Sequence, residues 1–439
     1  MTTFLEILFW VSVGLIAYVY LAYPLIAWAW SLTVFDPAQR VARSLSKRML
    51  SRYARYTRFV HAEPVWPTVS LIIAAYKEEE IIMQRLHNAV MVDYPADKLE
   101  IIVGCDGNED STGELVDSFQ DSRVRLLQFP DRRGKASVLN DCVPQARGEI
   151  IIFSDANTMF DPQAIRKLVR HFQDSEVGGV CGKLMLVDGV TGENADGMYW
   201  RYENFMKRSE GRLGALLGFN GAIYAIRGDL YQPIPPQTII DDFLIGMRIH
   251  LAEKQLIYDE SAVAYEETAP HVQAEFHRRA RIGAGGFQSL MWLAPLLHPR
   301  RGRLAWAFWS HKVLRWLCPS FLAIAAITNV ALVSRPFFAR ILLVQELFYV
   351  TAIFGLFFSD GRRWQRYLKL QALFVSVNAA LFVGFWRWHC GIKYGTWKRT
   401  ERAPAGAPSQ TEESIKDIEQ TKRSELTRMA EQQLQEVIP

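Results

Sequence analysis

The sequence predicts an α/β domain with a mainly parallel sheet, inserted between an N-terminal membrane helix and a C-terminal group of membrane helices. Three observations predict it. The run from Ile7 to Phe35 carries no charge and exceeds the roughly 20 apolar residues that cross a bilayer core. From about Pro64 to Glu267, short β-rich runs are each followed by a polar or helical stretch, the pattern of a wound parallel sheet. Further runs with little or no charge, at Leu317 to Ser334, Ile341 to Ser359 and Leu370 to Trp386, read as membrane helices.

At the N-terminus Glu6 is the only early charge and the apolar run ends in bulky residues, so the segment reads as a retained anchor and not a cleaved signal peptide. Arg40, Arg43, Lys47, Arg48, Arg52, Arg55 and Arg58 follow it, and no Lys or Arg precedes it. The positive-inside rule then places the next domain in the cytosol. The same basic residues interleave with Leu45, Met49, Leu50, Tyr53 and Tyr56, which suits either an amphipathic helix on anionic lipid or a solvated basic face.

Strands are expected at Val69 to Tyr76, Glu100 to Cys105, Val124 to Phe129 and Glu149 to Ala156. In wound sheets the ligand lies beyond the carboxyl ends of the strands, so Lys77, Glu78, Asp106 and Asp155 are the first candidates for chemistry. After Glu267 the basic HRRAR at His277 to Arg281 leads into an apolar, aromatic segment, Phe287 to Leu297. Pro295 and Pro299 make that segment too short to span, so a surface-lying helix is expected. Glu346, inside the second C-terminal span, is expected to face a neighbouring helix or a cavity. The tail from Ala403 opens APAGAPSQ and reads as a flexible linker. One span before a cytosolic domain and three after it would leave the tail outside, yet Arg387, Lys393, Lys398, Arg399 and Arg402 argue for inside.

Several function classes are disfavoured. A net charge of +4, with no zinc-finger spacing or RNA-binding signature, gives no case for nucleic acid as a partner. The 5 cysteines contain no CxxC and read as buried hydrophobes in a reducing compartment. RRGKAS at Arg132 to Ser137 lacks the upstream glycine of a phosphate loop, and no GxGxxG opens a helix after a strand.

What remains is acidic residues at element ends. Asp106 in CDGNEDST and Asp155 in SDANTMFDP follow strands read as neighbours. There a carboxylate can bond a ribose or base, or hold a divalent cation against a diphosphate, or simply close an Asx turn. Asp241 and Asp242 in IIDDFLIGMRIH precede a helical pattern. They can cap that helix, or, in a cleft, their repulsion can raise one pKa toward that of a general base.

AAYKEE at Ala74 to Glu79, CDG at Cys105, RRGKA at Arg132, DAN at Asp155, GFNGAIYAIR at Gly218, IDD at Ile240 and RRARI at Arg278 occur in that order. So ordered, and flanked by membrane segments, the chain resembles the membrane-integrated family-2 glycosyltransferases. These include cellulose, hyaluronan, chitin and poly-N-acetylglucosamine synthases. The resemblance implies a GT-A-like, Rossmann-type nucleotide-sugar-binding domain over residues 64–270. A membrane helix over 1–36 and a basic connector over 37–63 would precede it. Interfacial helices over 271–316, about three membrane helices over 317–390 and a polar tail over 391–439 would follow.

It further implies that Ala75, Glu78, Asp106, Lys135 and Asp155 meet the donor, and that Asp155 with Asn157 holds Mg²⁺ or Mn²⁺. Arg278 and Arg281 would face the diphosphate, Asn220, Gly221 and Asp241 would lie near the acceptor, and Asp242 would be the base. The expected activity is inverting transfer from a UDP-sugar to a growing extracellular polysaccharide at the plasma (bacterial inner) membrane. Transfer of one sugar to a lipid-linked acceptor, and a catalytically silent scaffold, are the other readings. Three departures stand out. Asn157 replaces a second acid, Asp241 stands where Glu is usual, and Ile282 occupies the place of a Trp that stacks the terminal sugar in polymer-forming members.

Overall fold

Four runs make a parallel part of the sheet, with the last-but-one at its edge: β1 (Val69–Ala75), β2 (Leu99–Asp106), β3 (Val124–Phe129) and β4 (Ile150–Asp155). A computed structural model describes residues 1–34, 66–187, 197–267, 272–356 and 363–391. The basic connector and the polar tail after Gly391 lie outside the described residues. β1 pairs parallel with β2 on one side and with β4 on the other, and β2 pairs parallel with β3. Every β1 residue is buried, as expected of a central parallel strand covered on both faces. Asp106 and Asp155 therefore flank β1 and are not on adjacent strand ends, because β1 lies between β2 and β4.

The sheet continues through β5 (Met159–Phe160), β6 (Val177–Val187), β7 (Tyr224–Arg227) and β8 (Gln255–Glu267), in the order β3-β2-β1-β4-β7-β6-β8-β5. β7 runs antiparallel to β4 and to β6, whereas β6 and β8 are parallel. The period of two sorts the core. Val69, Leu71, Ile73 and Ala75 of β1 pack into one cluster, with α3 (Ile82–Val90) and α6 (Ala164–Val169); Ile72 and Ala74 point into the other. That second cluster holds residues of α5 (Lys135–Cys142), α7 (Met198–Arg212) and α8 (Asp241–Leu251). It also holds Tyr23, Trp316, Val377 and Leu381, which belong to membrane helices. Soluble sheet and membrane helices thus share one hydrophobic core.

Among the described residues, four helical stretches are long and apolar enough to cross a membrane: Thr2–Val34, Arg303–Ala331, Pro336–Gly355 and Tyr367–His389. The first contains α1 (Thr2–Ala17) and α2 (Tyr23–Val34), joined by a π-helical turn. The second contains α10 (Arg303–Ala307) and α11 (Leu314–Ala331), also joined by a π turn, so it begins well before the expected Leu317. Between β8 and α10 runs α9 (Val272–Trp292), which carries the basic motif. The last two spans are α12 (Pro336–Gly355) and α13, which begins at Arg363 and ends at His389. Outward side chains on α12, such as Leu343, Val344 and Leu347, are apolar. Glu346 is exposed among them and does not face a neighbour; the helix turns Gln345 inward instead, its amide 3.0 Å from that of Asn329. Cys390 is exposed, while the other cysteines are buried as expected.

A buried carboxylate ties the first span to the second. Glu210 Oε1 accepts a 2.7 Å bond from the Tyr23 hydroxyl and lies 2.6 Å from Nδ1 of His311. Leaving two buried polar partners unmade costs about 1–3 kcal/mol each. Glu210→Ala should therefore lower the thermal stability of the detergent-purified chain by about 2–5 kcal/mol. An unchanged melting temperature would show that this tie does not hold the spans together.

Candidate active site

The site is assembled where β1, β2 and β4 end. At the end of β1, Lys77 adopts a left-handed backbone (φ 55°), unusual for a residue with a side chain. Its ammonium pairs with Glu109 at 2.6 Å, and the next residue, Glu78, is buried with its N–H bonded to the Thr112 hydroxyl at 2.9 Å. Asp106 at the end of β2 spends both oxygens on backbone: Oδ1 accepts from Arg133 N at 2.6 Å and Oδ2 from Gly134 N at 2.8 Å. Gly134 takes φ 88°, which suits glycine, and the turn delivers Lys135 at the first position of α5.

Lys135 is the centre of charge. Its Nζ donates to Asp155 Oδ1 at 2.6 Å and stands 3.4 Å from Asp241 Oδ2. Burial alone would lower the Lys135 ammonium, but the charges of Asp155 and Asp241 outweigh it and hold it above the usual lysine range. Asp241 and Asp242 open α8; neither caps it, since the capping position is Ile240, with no side-chain bond. Burial, and then the neighbouring charge of Asp241, push the Asp242 carboxyl up to about 6, against the pull of Lys135. Among the described residues, Asp241 Oδ2, apart from its ion pair with Lys135, and the Tyr224 hydroxyl are buried without a hydrogen-bond partner. A methyl group at Gly221 would lie 3.4 Å from Asp155 Oδ2, 3.5 Å from Lys135 Nζ and 3.7 Å from Asp242 Oδ2. The glycine keeps open the space on which the three charged groups converge.

These residues line a cavity of about 590 Å³ that continues past α9 to the membrane helices. Of the expected site residues, Glu78, Lys135, Asp155, Asn157, Asn220, Gly221, Asp241, Asp242, Arg278 and Arg281 line it, as does Ile282. Ala75 and Asp106 do not: Ala75 is fully buried inside the sheet, and Asp106 acts through the loop it holds. Asn220 uses its side chain to brace its own turn, donating to Gly182 O at 3.1 Å and accepting from Ile223 N at 3.2 Å. Arg278 pairs with Glu275 at 2.7 Å.

Residues that the sequence did not single out also line the cavity: Glu203, Lys207, Glu266, His311, Lys312 and Arg315. Lys312 and Arg315 did carry a signal, being charges inside a long apolar helix. Glu266 accepts a 2.8 Å bond from Asn157 Nδ2. Burial, and then the charge of Asp155, push its carboxyl up to about 7.

No group of three His, Cys, Asp or Glu side chains able to enclose a metal occurs among the described residues. The hard cations Mg²⁺ and Mn²⁺ do not need one, since they bind through one or two carboxylates plus substrate phosphates. Asp155 and Glu266, close enough that one raises the pKa of the other, together with the Asn157 amide, form an oxygen donor set with surplus negative charge. That set fits such a cation.

Comparison with known proteins places this geometry. Residues 70–229 match Glycosyl transferase family 2, and residues 150–384 match Glycosyl transferase family group 2. Poly-beta-1,6-N-acetyl-D-glucosamine synthase of Staphylococcus epidermidis is 24% identical over 230 residues, 51% of this chain and 55% of that protein. The probable glycosyltransferase YdaM of Bacillus subtilis is 25% identical over 284 residues, 58% of this chain and 66% of that protein. The chain thus spans about half to two thirds of the length of these curated relatives. Among solved structures, the mannosyltransferase PcManGT from Pyrobaculum calidifontis, in complex with GDP-Man and Mn²⁺, superposes with a TM-score of 0.64 at 20% identity. The match covers 87% of this chain and 99% of that one, and the fold is accordingly GT-A-like.

Removing the central ammonium tests the charge balance. Lys135→Met should cost about 3–5 kcal/mol, the usual loss when one partner of a buried pair is deleted. The Asp242 carboxyl, which Lys135 pulls down, would then lose that compensation. The loss should therefore grow as pH rises through about 6, where Asp242 ionises, and shrink below it, where protons replace the ammonium. Thermal melts at pH 5 and pH 8 check this; an equal loss at both would refute the charge-balancing role.

Proposed function

The chain belongs to glycosyl transferase family group 2, and from that premise we propose that it is an inverting, metal-dependent transferase moving a sugar from a UDP-sugar to an acceptor hydroxyl. The observation that carries the reading is the half-buried Asp242 carboxyl, raised to about 6 and facing the space at Gly221 beside Lys135 and Asp155. A base with that pKa is ionised at neutral pH yet still able to take a proton.

Glu78, Lys135 and the loop fixed by Asp106 receive the donor, with Ala75 behind them in the sheet. Asn220, Gly221 and Asp241 border the acceptor side. The acceptor oxygen bonds to the anomeric carbon as the bond from that carbon to the diphosphate oxygen breaks. The electron pair leaves on the diphosphate and the hydroxyl proton passes to Asp242, so the configuration inverts. Arg278 and Arg281 face the departing diphosphate and offset its charge. Asp155, Asn157 and Glu266 would hold Mg²⁺ or Mn²⁺, which when bound supplies Lewis-acid neutralisation of the diphosphate.

The relatives named as poly-N-acetylglucosamine synthases support a growing extracellular polysaccharide as the acceptor. In this reading the catalytic domain faces the cytosol of a plasma (bacterial inner) membrane, and the helices lining the cavity give the product a route across. Ile282 favours a second reading, transfer of one sugar to a lipid-linked acceptor, because it offers no flat ring for a terminal sugar to stack on.

Purified protein supplied with radiolabelled UDP- and GDP-sugars and Mg²⁺ or Mn²⁺ tests both readings through the size of the product. A ladder supports the polymer, a single organic-soluble product the lipid acceptor, and nucleotide binding without turnover removes the enzymatic reading. Asp242→Asn should cut turnover by about 10²–10⁴-fold with donor affinity kept, and turnover near the parent rate would remove Asp242 as base. The parent's rate should fall as pH drops through about 6, because the base is then protonated. Asp155→Ala should weaken donor binding only when metal is present; equal affinity with and without metal would count against a metal at that carboxylate.

A further inference from the structure

The end of the cavity away from Asp155 and Asp242 has its own electrostatics. Lys207 of α7, Lys312 of the π turn between α10 and α11, and Arg315 of α11 line it. The nearby carboxylates are already committed. Glu203 pairs with Arg315 at 2.7 Å, and Glu210 is shared by Tyr23 and His311. Lys207 and Lys312 form no ion pair with a carboxylate among the described residues. The Lys207 ammonium lies 4.0 Å from Cys181 Sγ, and that of Lys312 stands 5.9 Å over the Phe243 ring, next in sequence to Asp242. Two ammonium groups in a partly desolvated chamber, with no carboxylate in ion-pair contact among the described residues, are stabilised further by an anion brought by a ligand. The wall around them is apolar: Trp316, Val377 and Leu381, all from helices able to cross a membrane.

We propose that this end is an acceptor-binding site for a phosphorylated lipid, with Lys207 and Lys312 holding the phosphate. The tail would lie against Trp316, Val377 and Leu381, and the lipid-borne sugar hydroxyl would face Asp242. The inference rests on the glycosyl-transfer reading and selects the lipid-linked acceptor within it. The donor diphosphate is a different anion, met by residues of other elements: Asp155 at the end of β4, and Arg278 and Arg281 on α9.

The test is direct binding to the full chain in lipid nanodiscs, with farnesyl phosphate as the probe. Farnesol, inorganic phosphate and a neutral tetrasaccharide serve as comparisons, and UDP reports on the donor site separately. Farnesyl phosphate should bind at least about tenfold more tightly than farnesol or inorganic phosphate. The double variant Lys207→Gln/Lys312→Gln should weaken it by about tenfold or more and leave UDP affinity unchanged, and Lys312→Arg should retain most of the affinity. Farnesol binding as tightly would overturn recognition of the anion, and inorganic phosphate binding as tightly would overturn the lipid as its carrier. A neutral tetrasaccharide that binds as well and ignores the lysines would restore the polysaccharide acceptor. A parallel fall in UDP affinity would return the lysines to the donor site. If farnesyl phosphate binds through the lysines while no sugar nucleotide is turned over, the enzymatic reading fails and the lipid-phosphate site stands.

Discussion

The arrangement of the site depends on one ammonium group. Lys135 bonds Asp155, pairs with Asp241 and lies in the field of Asp242, so a single cation gathers carboxylates from the end of β4 and the start of α8. Its own position is set from β2, where Asp106 takes the N–H groups of Arg133 and Gly134 and so fixes the turn into α5. One positive charge against three acids leaves a local deficit. Burial first, and then that deficit, raise the Asp242 carboxyl, and the same deficit favours a cation among these acids.

The second constraint is that the catalytic sheet cannot be separated from the membrane helices without opening a core. Tyr23, Phe243, Phe287 and Trp316 belong to the same buried cluster as Ile72 and Phe153 of the sheet. Phe243, the residue after Asp242, packs 6.0 Å from Trp316 and 6.1 Å from Phe308, both in the second span. A shift of that span therefore reaches Asp242 through the Phe243 ring. In the proposed lipid-acceptor reading, this contact would keep an acceptor held by those helices in register with Asp242.

Much of this was legible in the sequence, and the parts that were not have physical reasons. β1, β2 and β4 are largely apolar runs read to within about one residue, because parallel strands buried on both faces tolerate little else; β3, at the edge and only partly buried, was read from its VRLLQF run. β6 was missed. Its Gly178, Gly179 and Gly182 depress strand propensity, yet a Cβ at any of them would meet neighbouring atoms at 2.5–2.7 Å, so close packing and not propensity decides those positions. β8 was missed for its polar middle, YDES, where its pairing with β6 shifts register. Asp155, Asp242, Arg278 and Arg281 line the cavity as expected, because strand ends, helix starts and basic runs are local signals. Glu203, Lys207 and Glu266 line it without having been singled out, because only tertiary packing turns an isolated charge on a helix or strand toward a cavity. Ala75 and Asp106 show the converse: Ala75 is buried in the sheet, and the Asp106 carboxylate is turned to the N–H groups of Arg133 and Gly134.

The cavity is then best understood as two electrostatic halves joined at Asp242. One half holds Asp155, Asp241 and Asp242 with Lys135, and the half beside the long apolar helices holds Lys207 and Lys312, which form no ion pair with a carboxylate among the described residues. A neutral sugar chain threading such a space would rely on aromatic stacking, worth about 0.5–1.5 kcal/mol per ring beyond its buried area. The rings that line it are engaged elsewhere: Trp316 packs against Phe243, Tyr199 lies under the Arg279 guanidinium at 3.8 Å, and Trp200 donates to the Leu184 carbonyl at 2.9 Å. Ile282 adds apolar area without a ring face. Area of that kind stabilises an aliphatic chain as well as anything else, at about 25 cal/mol per Å². In the proposed lipid-acceptor reading, selectivity in this half therefore rests on charge, supplied by Lys207 and Lys312.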